Sequence, residues 1–227
     1  MKVSVILPAR NEELLVASVL KDISSYLKKS GFGYEILVVV NGCTDLTEEI
    51  VGTFAEKHAP VKILRSRPGY GYAIREGLKK AKGDYVALFN VDFYDLKMLD
   101  LIKINLYGKD VVIGSKMTPW SRDERPVSRR IVSKLFNLFL KFFLGFRGSD
   151  THGIKIMKKR LVVKVFPKCR TSSGIFDTEF VLKTQMFGFK IADYPVDLKE
   201  VRPPRFINRF LDTPRDILNL LNALKKK

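Results

Sequence analysis

The chain has 227 residues, 46% of them hydrophobic and 29% charged, enough for one α/β domain with a full core. Its 41 Lys and Arg against 24 Asp and Glu give a net charge of +17, a surplus that favours an anionic partner: nucleic acid, an anionic membrane face or phosphorylated small molecules. Two cysteines, Cys43 and Cys169, exclude a disulfide framework and a cysteine metal site, and suit a reducing compartment.

The opening MKVSVILPARNEE does not read as a signal peptide, because its apolar stretch is only about six residues before charges follow. KVSVILP (2–8) reads as a buried strand. Residues 12–29 carry Leu15, Val19, Ile23 and Leu27 at spacings of four, which predicts a helix. YEILVVV (34–40) is a second buried strand. TDLTEEIVGTFAEKH (44–58) reads as a helix capped by Thr44, with Asp45, Glu48 and Glu49 where the helix dipole favours acids. VKILR (61–65) is a third strand, 70–82 a helix closed by Gly83, DYVALFN (84–90) a fourth strand and DVVIGS (110–115) a fifth. This βαβαβαβ order predicts an α/β fold with a mostly parallel, twisted sheet and helices on both faces. Sites in such sheets lie at the carboxyl ends of the strands, here PARNE, NGCTD, RSRPG and NVD.

The pattern changes after residue 115. MTPWSRDERP (117–126) reads as a basic loop and RRIVSKLFNLFLKFFLG (129–145) as a very apolar helix. Residues 151–201 mix short strands with a helix over 176–187, and RPPRF (202–206) is a rigid basic turn. TPRDILNLLNALKKK (213–227) predicts a last helix with Thr213 as N-cap and Pro214 at its first position. One domain over 1–205 with a basic amphipathic appendage over 206–227 is the simplest division.

Four segments carry candidate chemistry. ILPARNEE puts Pro8, Ala9, Arg10, Asn11 and Glu12 at the first strand–helix junction, where a turn can cradle a nucleobase and ribose; an ordinary loop with Asn11 as N-cap is the plain alternative. In VVVNGCTD, Asn41 either reads a base edge or serves Asn-Gly turn chemistry. Gly69-x-Gly71 lacks the third glycine of a dinucleotide loop and is rejected as one, although Arg75 on that helix could face a phosphate. The fourth strand ends in Asn90-Val91-Asp92, which offers a metal one carboxylate rather than two.

Taken in order, VSVILPARNEE, EILVVVNGCTD, GYGYAIREGLKKAKGDYVALFNVD, VVIGSK, SDTHGIKIMKK and FDTEFVLKTQMFGFKIADYPV resemble the inverting family-2 glycosyltransferases of GT-A fold. The similarity is greatest to polyprenyl-phosphate sugar synthases such as dolichyl-phosphate mannose synthase, and it covers roughly residues 1–205. The resemblance implies that Pro8, Ala9, Arg10, Glu12 and Asn41 line a nucleoside pocket. It puts Asn90, Val91 and Asp92 at the family's DxD position, which binds Mg2+ or Mn2+ on the diphosphate, with Tyr94 as a weaker metal-shell residue. Lys116 stands near the phosphates where these synthases usually have arginine. Asp177 and Glu179 fall where acceptor-side acids occur, and Arg202 and Arg205 in a basic closing loop; Arg129 is expected to help position the phosphates. Two departures are plain: Val40-Asn41-Gly42-Cys43 replaces a usual Asp-Asp-Gly-Ser, and Asn90 replaces the first aspartate of the metal motif. An amide oxygen ligates a hard cation without contributing charge, so a weakened or inactive member is the alternative there.

Within 129–145, Arg130, Lys134, Asn137 and Lys141 form one polar stripe and apolar residues cover the rest. A helix this apolar and too short to span fits an interfacial position, with a buried core helix as the alternative. Nearby basic residues contribute on the order of 1 kcal/mol each at an anionic leaflet. The sequence therefore predicts a cytoplasmic transferase, peripheral at the inner face of an anionic membrane, that moves a hexose from a nucleotide sugar to a polyprenyl phosphate. A soluble family-2 transferase with a sugar or glycerate acceptor is the second reading. A nucleic-acid-binding module would share the charge, but no binding motif and no aromatic–basic interleaving is present, so no nucleic-acid partner is expected.

Overall fold

The computed structural model describes residues 1–198 and 206–225, and the side chains of all these except 206–214. Strands β1 (Lys2–Ala9), β2 (Gly33–Val40), β3 (Val61–Arg65), β4 (Tyr85–Leu88), β5 (Val111–Ser115), β6 (Lys155–Lys158) and β7 (Ile191–Pro195) form one sheet, in the order β3-β2-β1-β4-β6-β5-β7. The pairs among β1–β4 are parallel, as is β5 with β7, while β6 runs antiparallel to both its neighbours. The expected mostly parallel α/β sheet is present. β1 and β2 read as continuous apolar runs because the sheet is covered on both faces, which removes the usual alternation.

Helix α1 (Val16–Ser30) and helix α2 (Thr47–Lys57) follow β1 and β2, and helix α3 (Tyr70–Lys80) follows β3. One core layer joins α1 to Val3, Val5, Leu7 and Phe89, and the other joins α3 to Ile6, Leu37, Val39 and Leu88. Helix α4 (Val127–Leu144) follows β5, and the short α5 (Lys159–Val165), α6 (Phe176–Met186) and α7 (Phe206–Lys225) complete the chain. Leu220 of α7 is buried in the α3 layer, and Leu224 packs against it.

Three local expectations are corrected. α1 starts at Val16 rather than at residue 12, because 12–15 form a turn in which the Glu12 carbonyl accepts from Leu15 and Val16 N–H. Thr44 does not cap α2; its N–H and hydroxyl meet the Asn11 side chain, and Asp45 accepts from Thr47 N–H at 3.0 Å instead. α7 begins at Phe206, so Thr213-Pro214 falls inside a helix rather than at its start.

The placement of β6 sets the second half of the fold. Because β6 returns antiparallel, the loop before it (149–154) lies at the same carboxyl edge as the ends of β4 and β5. Gly153 sits there against β5: a Cβ at this residue would lie 1.9 Å from the Gly114 carbonyl oxygen. Gly153→Ala should therefore destabilise the protein by about 1–3 kcal/mol through overpacking. Gly52, inside α2 with nothing within 4 Å of an added Cβ, should gain about 0.5–1 kcal/mol as Gly52→Ala. Denaturant unfolding of both variants reads the opposite signs.

Candidate active site at the carboxyl edge of the sheet

The loops after β1 and β2 are knitted into one ledge. Glu12 N–H donates to Thr47 Oγ1 at 2.6 Å, Glu13 N–H to Asp45 Oδ2 at 3.2 Å, and Leu46 N–H to Glu13 Oε2 at 3.0 Å. Asn11, held at a positive φ of 56°, accepts from Thr44 N–H at 2.9 Å. Asn41 is buried; its amide donates to the Ala9 carbonyl at 2.9 Å and its oxygen accepts from Gly69 N–H at 3.3 Å. Asn41 thus joins the ends of β1 and β2 to the start of α3, and its amide is turned to backbone rather than outward. Pro8, Ala9 and Glu12 are buried in this ledge, and Arg10 is exposed on it.

The turn after β4 is closed by reciprocal backbone bonds between Asn90 and Phe93. Val91 points into the core and is 2% exposed, so only its backbone can face a ligand, whereas the Asp92 carboxylate is exposed. Asn90 Oδ1 accepts from the Tyr70 hydroxyl at 3.2 Å. Tyr94 does not join this group. Its hydroxyl donates to Asp22 Oδ2 of α1 at 2.8 Å, and burial together with that carboxylate pushes the phenol up to about 12. Its expected place in a metal shell is therefore corrected.

The far side of the edge is a cluster of ion pairs. Lys116, just past β5, donates to Asp150 Oδ2 at 2.5 Å, and both side chains are largely covered. Burial alone would raise the Asp150 carboxyl. The Lys116 charge and hydrogen bond, with the His152 N–H, outweigh it and hold the group at about 2. Lys155 is fully buried; its ammonium meets Asp177 Oδ1 at 2.9 Å and the Gly153 carbonyl at 2.7 Å. Thr151 Oγ1 lies 3.0 Å from Thr178 Oγ1, and Ser149 Oγ donates to Ser115 Oγ at 2.7 Å. Register explains the convergence, since Lys155 pairs with both Leu88 of β4 and Ile113 of β5.

Two further expectations fall to this geometry. Glu179 is no acceptor-side acid. It is fully buried, accepts from Arg170 N–H, Thr171 N–H and Thr171 Oγ1, and pairs with Lys183 at 3.0 Å. Arg75 faces no phosphate; it donates to the Cys169 carbonyl at 2.9 Å and lies over the rings of Phe166 and Phe176. Both fasten the 169–174 loop, whose backbone comes so near α3 that a Cβ on Gly71 would sit 2.4 Å from the Ser172 oxygen. Arg129 is half-buried in the first turn of α4. Arg202 and Arg205 lie outside the described residues.

Asp150, His152 and Lys155 carried no expected role. Their signal was the density of polar residues in SDTHGIK just ahead of a short apolar strand.

The Glycosyl transferase family 2 profile matches residues 4–164. The chain belongs to that family. Glycosyltransferase AglD of Haloferax volcanii is 28% identical over 96% of this chain and 36% of its own length. Dolichyl-phosphate beta-glucosyltransferase of Dictyostelium discoideum is 27% identical over 87% of this chain and 66% of its own; the human protein of that name is 26% identical over 91% and 70%. The chain thus spans about a third of the first of these relatives and about two thirds of the second. In structure it is similar to glucosyl-3-phosphoglycerate synthase from Mycobacterium tuberculosis in complex with UDP, with a TM-score of 0.73, 21% identity and coverage of 98% of this chain and 79% of that one. A complex of that synthase with Mn2+, UDP and glucosyl-3-phosphoglycerate gives a TM-score of 0.70 at 19% identity, covering 98% and 79%. The fold of the family-2 transferase is therefore a GT-A fold, as the resemblance implied.

The Asp150 carboxyl, lowered from 3.8 to about 2, contributes stability that is fully present above its unfolded value and lost as pH falls through its folded one. Asp150→Asn should be less stable than the native chain by about 2 kcal/mol at neutral pH. That deficit should shrink between about pH 4 and pH 2, as urea unfolding at stepped pH will read.

Proposed function

We propose that the chain transfers a hexose from a nucleotide sugar to a polyprenyl phosphate, working as a peripheral protein on the cytoplasmic, inner face of an anionic membrane. Glucose on a uridine diphosphate is favoured over mannose on a guanosine diphosphate, because the dolichyl-phosphate relatives are glucosyltransferases by name. In this reading the ledge of Pro8, Ala9, Arg10 and Glu12 receives the nucleoside, held in shape by Asn41. Asn90, the Val91 backbone and Asp92 face the diphosphate, with Lys116 at the opposite edge.

One observation carries the choice of acceptor: Asp150 and Asp177, the acids flanking the SDTHG loop, are both locked in ion pairs with lysines. A hydroxyl acceptor needs a base whose pKa lies near the working pH. Asp150 is held at about 2, and Asp177 is 1% exposed against a fully buried Lys155. A lipid phosphate is already anionic and needs no such base. One of its oxygens attacks C1 of the sugar as the bond from C1 to the diphosphate oxygen breaks, and the nucleoside diphosphate leaves with that electron pair. Attack from the opposite face inverts C1. The task left to the protein is to hold two phosphates together against their repulsion, for which Lys116, Arg129 and Arg202 are the assigned cations.

The donor set fits a divalent cation that the substrate helps to hold. No group of three or more His, Cys, Asp or Glu is arranged for a metal among the described residues. Asn90 Oδ1 and the Asp92 carboxylate supply two oxygens, and Mg2+ characteristically takes one or two carboxylates with phosphate oxygens and water. Bound there, Mg2+ or Mn2+ would offset charge on the departing diphosphate. Titration calorimetry with UDP and Mn2+ should show divalent-dependent binding abolished in Asp92→Ala and tightened in Asn90→Asp. Unchanged affinity in Asp92→Ala would remove the metal assignment.

The acceptor assignment is tested by removing the acid without stranding its partner. Asp177→Asn alone leaves a buried lysine unpaired, at a cost of about 3–5 kcal/mol. The double variant Lys155→Met/Asp177→Leu removes both charges and should keep turnover on a polyprenyl phosphate within a few-fold. Arg129→Ala and Arg202→Ala should each lose at least about tenfold, or about 1.4 kcal/mol. The reverse ranking would indicate a hydroxyl acceptor and a true base, as in a soluble transferase of sugar or glycerate.

A further inference from the structure

Helix α4 is poorly covered by the rest of the molecule. Of its 18 residues only Asn137 and Leu140 are buried. Phe136, Phe139 and Leu144 lean partly on the α3-side core. On the side away from the core, Ile131, Leu135, Leu138 and Phe142 follow one another at spacings of four, three and four, so they form a single outward stripe. Leu135 is 60% exposed and Phe142 77%, and Phe143 beside them is 75% exposed. The expected polar stripe is partly corrected here. Asn137 turns inward and donates to the Ser149 carbonyl at 2.6 Å, while Arg130, Lys134 and Lys141 are exposed along one border of the apolar stripe.

We propose that this outward side of α4 is a docking surface for an anionic lipid leaflet, with Phe142 and Phe143 entering the acyl boundary and Arg130, Lys134 and Lys141 at headgroup level. The surface rests on the reading that the acceptor is a lipid, and it names which part of the chain meets the membrane. Charge selects the occupant. α4 carries Arg129, Arg130, Lys134 and Lys141 and no acid. A second copy seated by two-fold symmetry would bring these cations against their own kind, whereas an anionic leaflet complements them. The net charge of +17 adds long-range attraction of the same sign. Trp120, 83% exposed in the loop ahead of α4, is the residue type that settles at a membrane–water boundary. No helix among the described residues is long and apolar enough to cross a membrane, so α4 would lie in the interface plane, its lysine and arginine stems running along the apolar face to reach the headgroups.

The docked helix is also tied to the ion-pair edge of the site. Asn137 holds Ser149, Ser149 holds Ser115 beside Lys116, and the Phe136 ring lies 6.0 Å from that of His152. The Lys116–Asp150 edge thus lies on the inward side of the docked helix and is joined to it through Ser149.

Flotation of the full chain with vesicles of phosphatidylcholine alone, or of phosphatidylcholine with phosphatidylglycerol, tests the surface without any polyprenyl phosphate. Failure here is thus separate from failure of the acceptor assignment. The native chain should float with the anionic vesicles and at least tenfold less with the neutral ones. Phe142→Ser/Phe143→Ser should lose at least tenfold in binding while its thermal midpoint is unchanged. Phe139 is left intact because it packs on the core. Lys134→Glu/Lys141→Glu, which keeps the apolar stripe, should lose binding to anionic vesicles as well. Equal binding to both vesicle types, retention of binding by the Phe variant, or a dimer in sedimentation that the Phe variant abolishes would each overturn the proposal, the last in favour of a second copy.

Discussion

The pair between Lys155 and Asp177 fastens the start of β6 to the first turn of α6 behind the second half of the site, and neither charge can be left there without the other. Both side chains are essentially without water, and the ammonium also meets the Gly153 carbonyl. An isolated buried charge is too costly to persist, so the first turn of α6 must stay against the start of β6 wherever the chain is folded. That requirement brings SDTHG to the carboxyl edge of the sheet, places Asp150 within reach of Lys116, and positions the 169–174 loop that Glu179 and Arg75 fasten from behind.

The two sides of the edge are built by different physics. On the side of β1 and β2 the loops are joined by neutral or singly charged hydrogen bonds between backbone and short side chains, which leaves a shaped ledge with exposed Arg10 on it. On the side of β4, β5 and β6 the pairs Lys116–Asp150 and Lys155–Asp177 are covered. Between them the turn at Asn90 presents one carboxylate and one amide oxygen. A donor that brings its own phosphate oxygens suits that sparse middle, and an acceptor that brings its own negative charge suits an edge where Asp150 and Asp177 already answer to lysines.

Much of the fold was legible in the sequence. β1 and β2 are covered on both faces, so their apolar runs could hardly be anything else, and α1 shows its buried side through Val19, Ile23 and Leu27 at spacings of four. What escaped depends on contacts distant in sequence. β6 is only KIMK, and its first lysine is fully buried, so polarity hid the strand. Thr213-Pro214 carries the chemistry of a helix start, but α7 is already running there. At the site, residue types were readable and directions were not. The phenol of Tyr94 turns to Asp22, the guanidinium of Arg75 to the Cys169 carbonyl, and the carboxylate of Glu179 to the 170–171 backbone. Each choice is made by a partner at least eight residues away, which spacing along one chain does not encode.

The central claim is that this family-2 transferase delivers its sugar to a lipid phosphate. The most direct measurement is to follow labelled sugar from UDP-glucose, with GDP-mannose in parallel, in the presence of Mn2+ and either a polyprenyl phosphate or 3-phosphoglycerate. The account predicts label in the organic phase with the lipid acceptor, and with 3-phosphoglycerate no more label in water than donor hydrolysis gives. Efficient transfer to 3-phosphoglycerate with none to the lipid would contradict it.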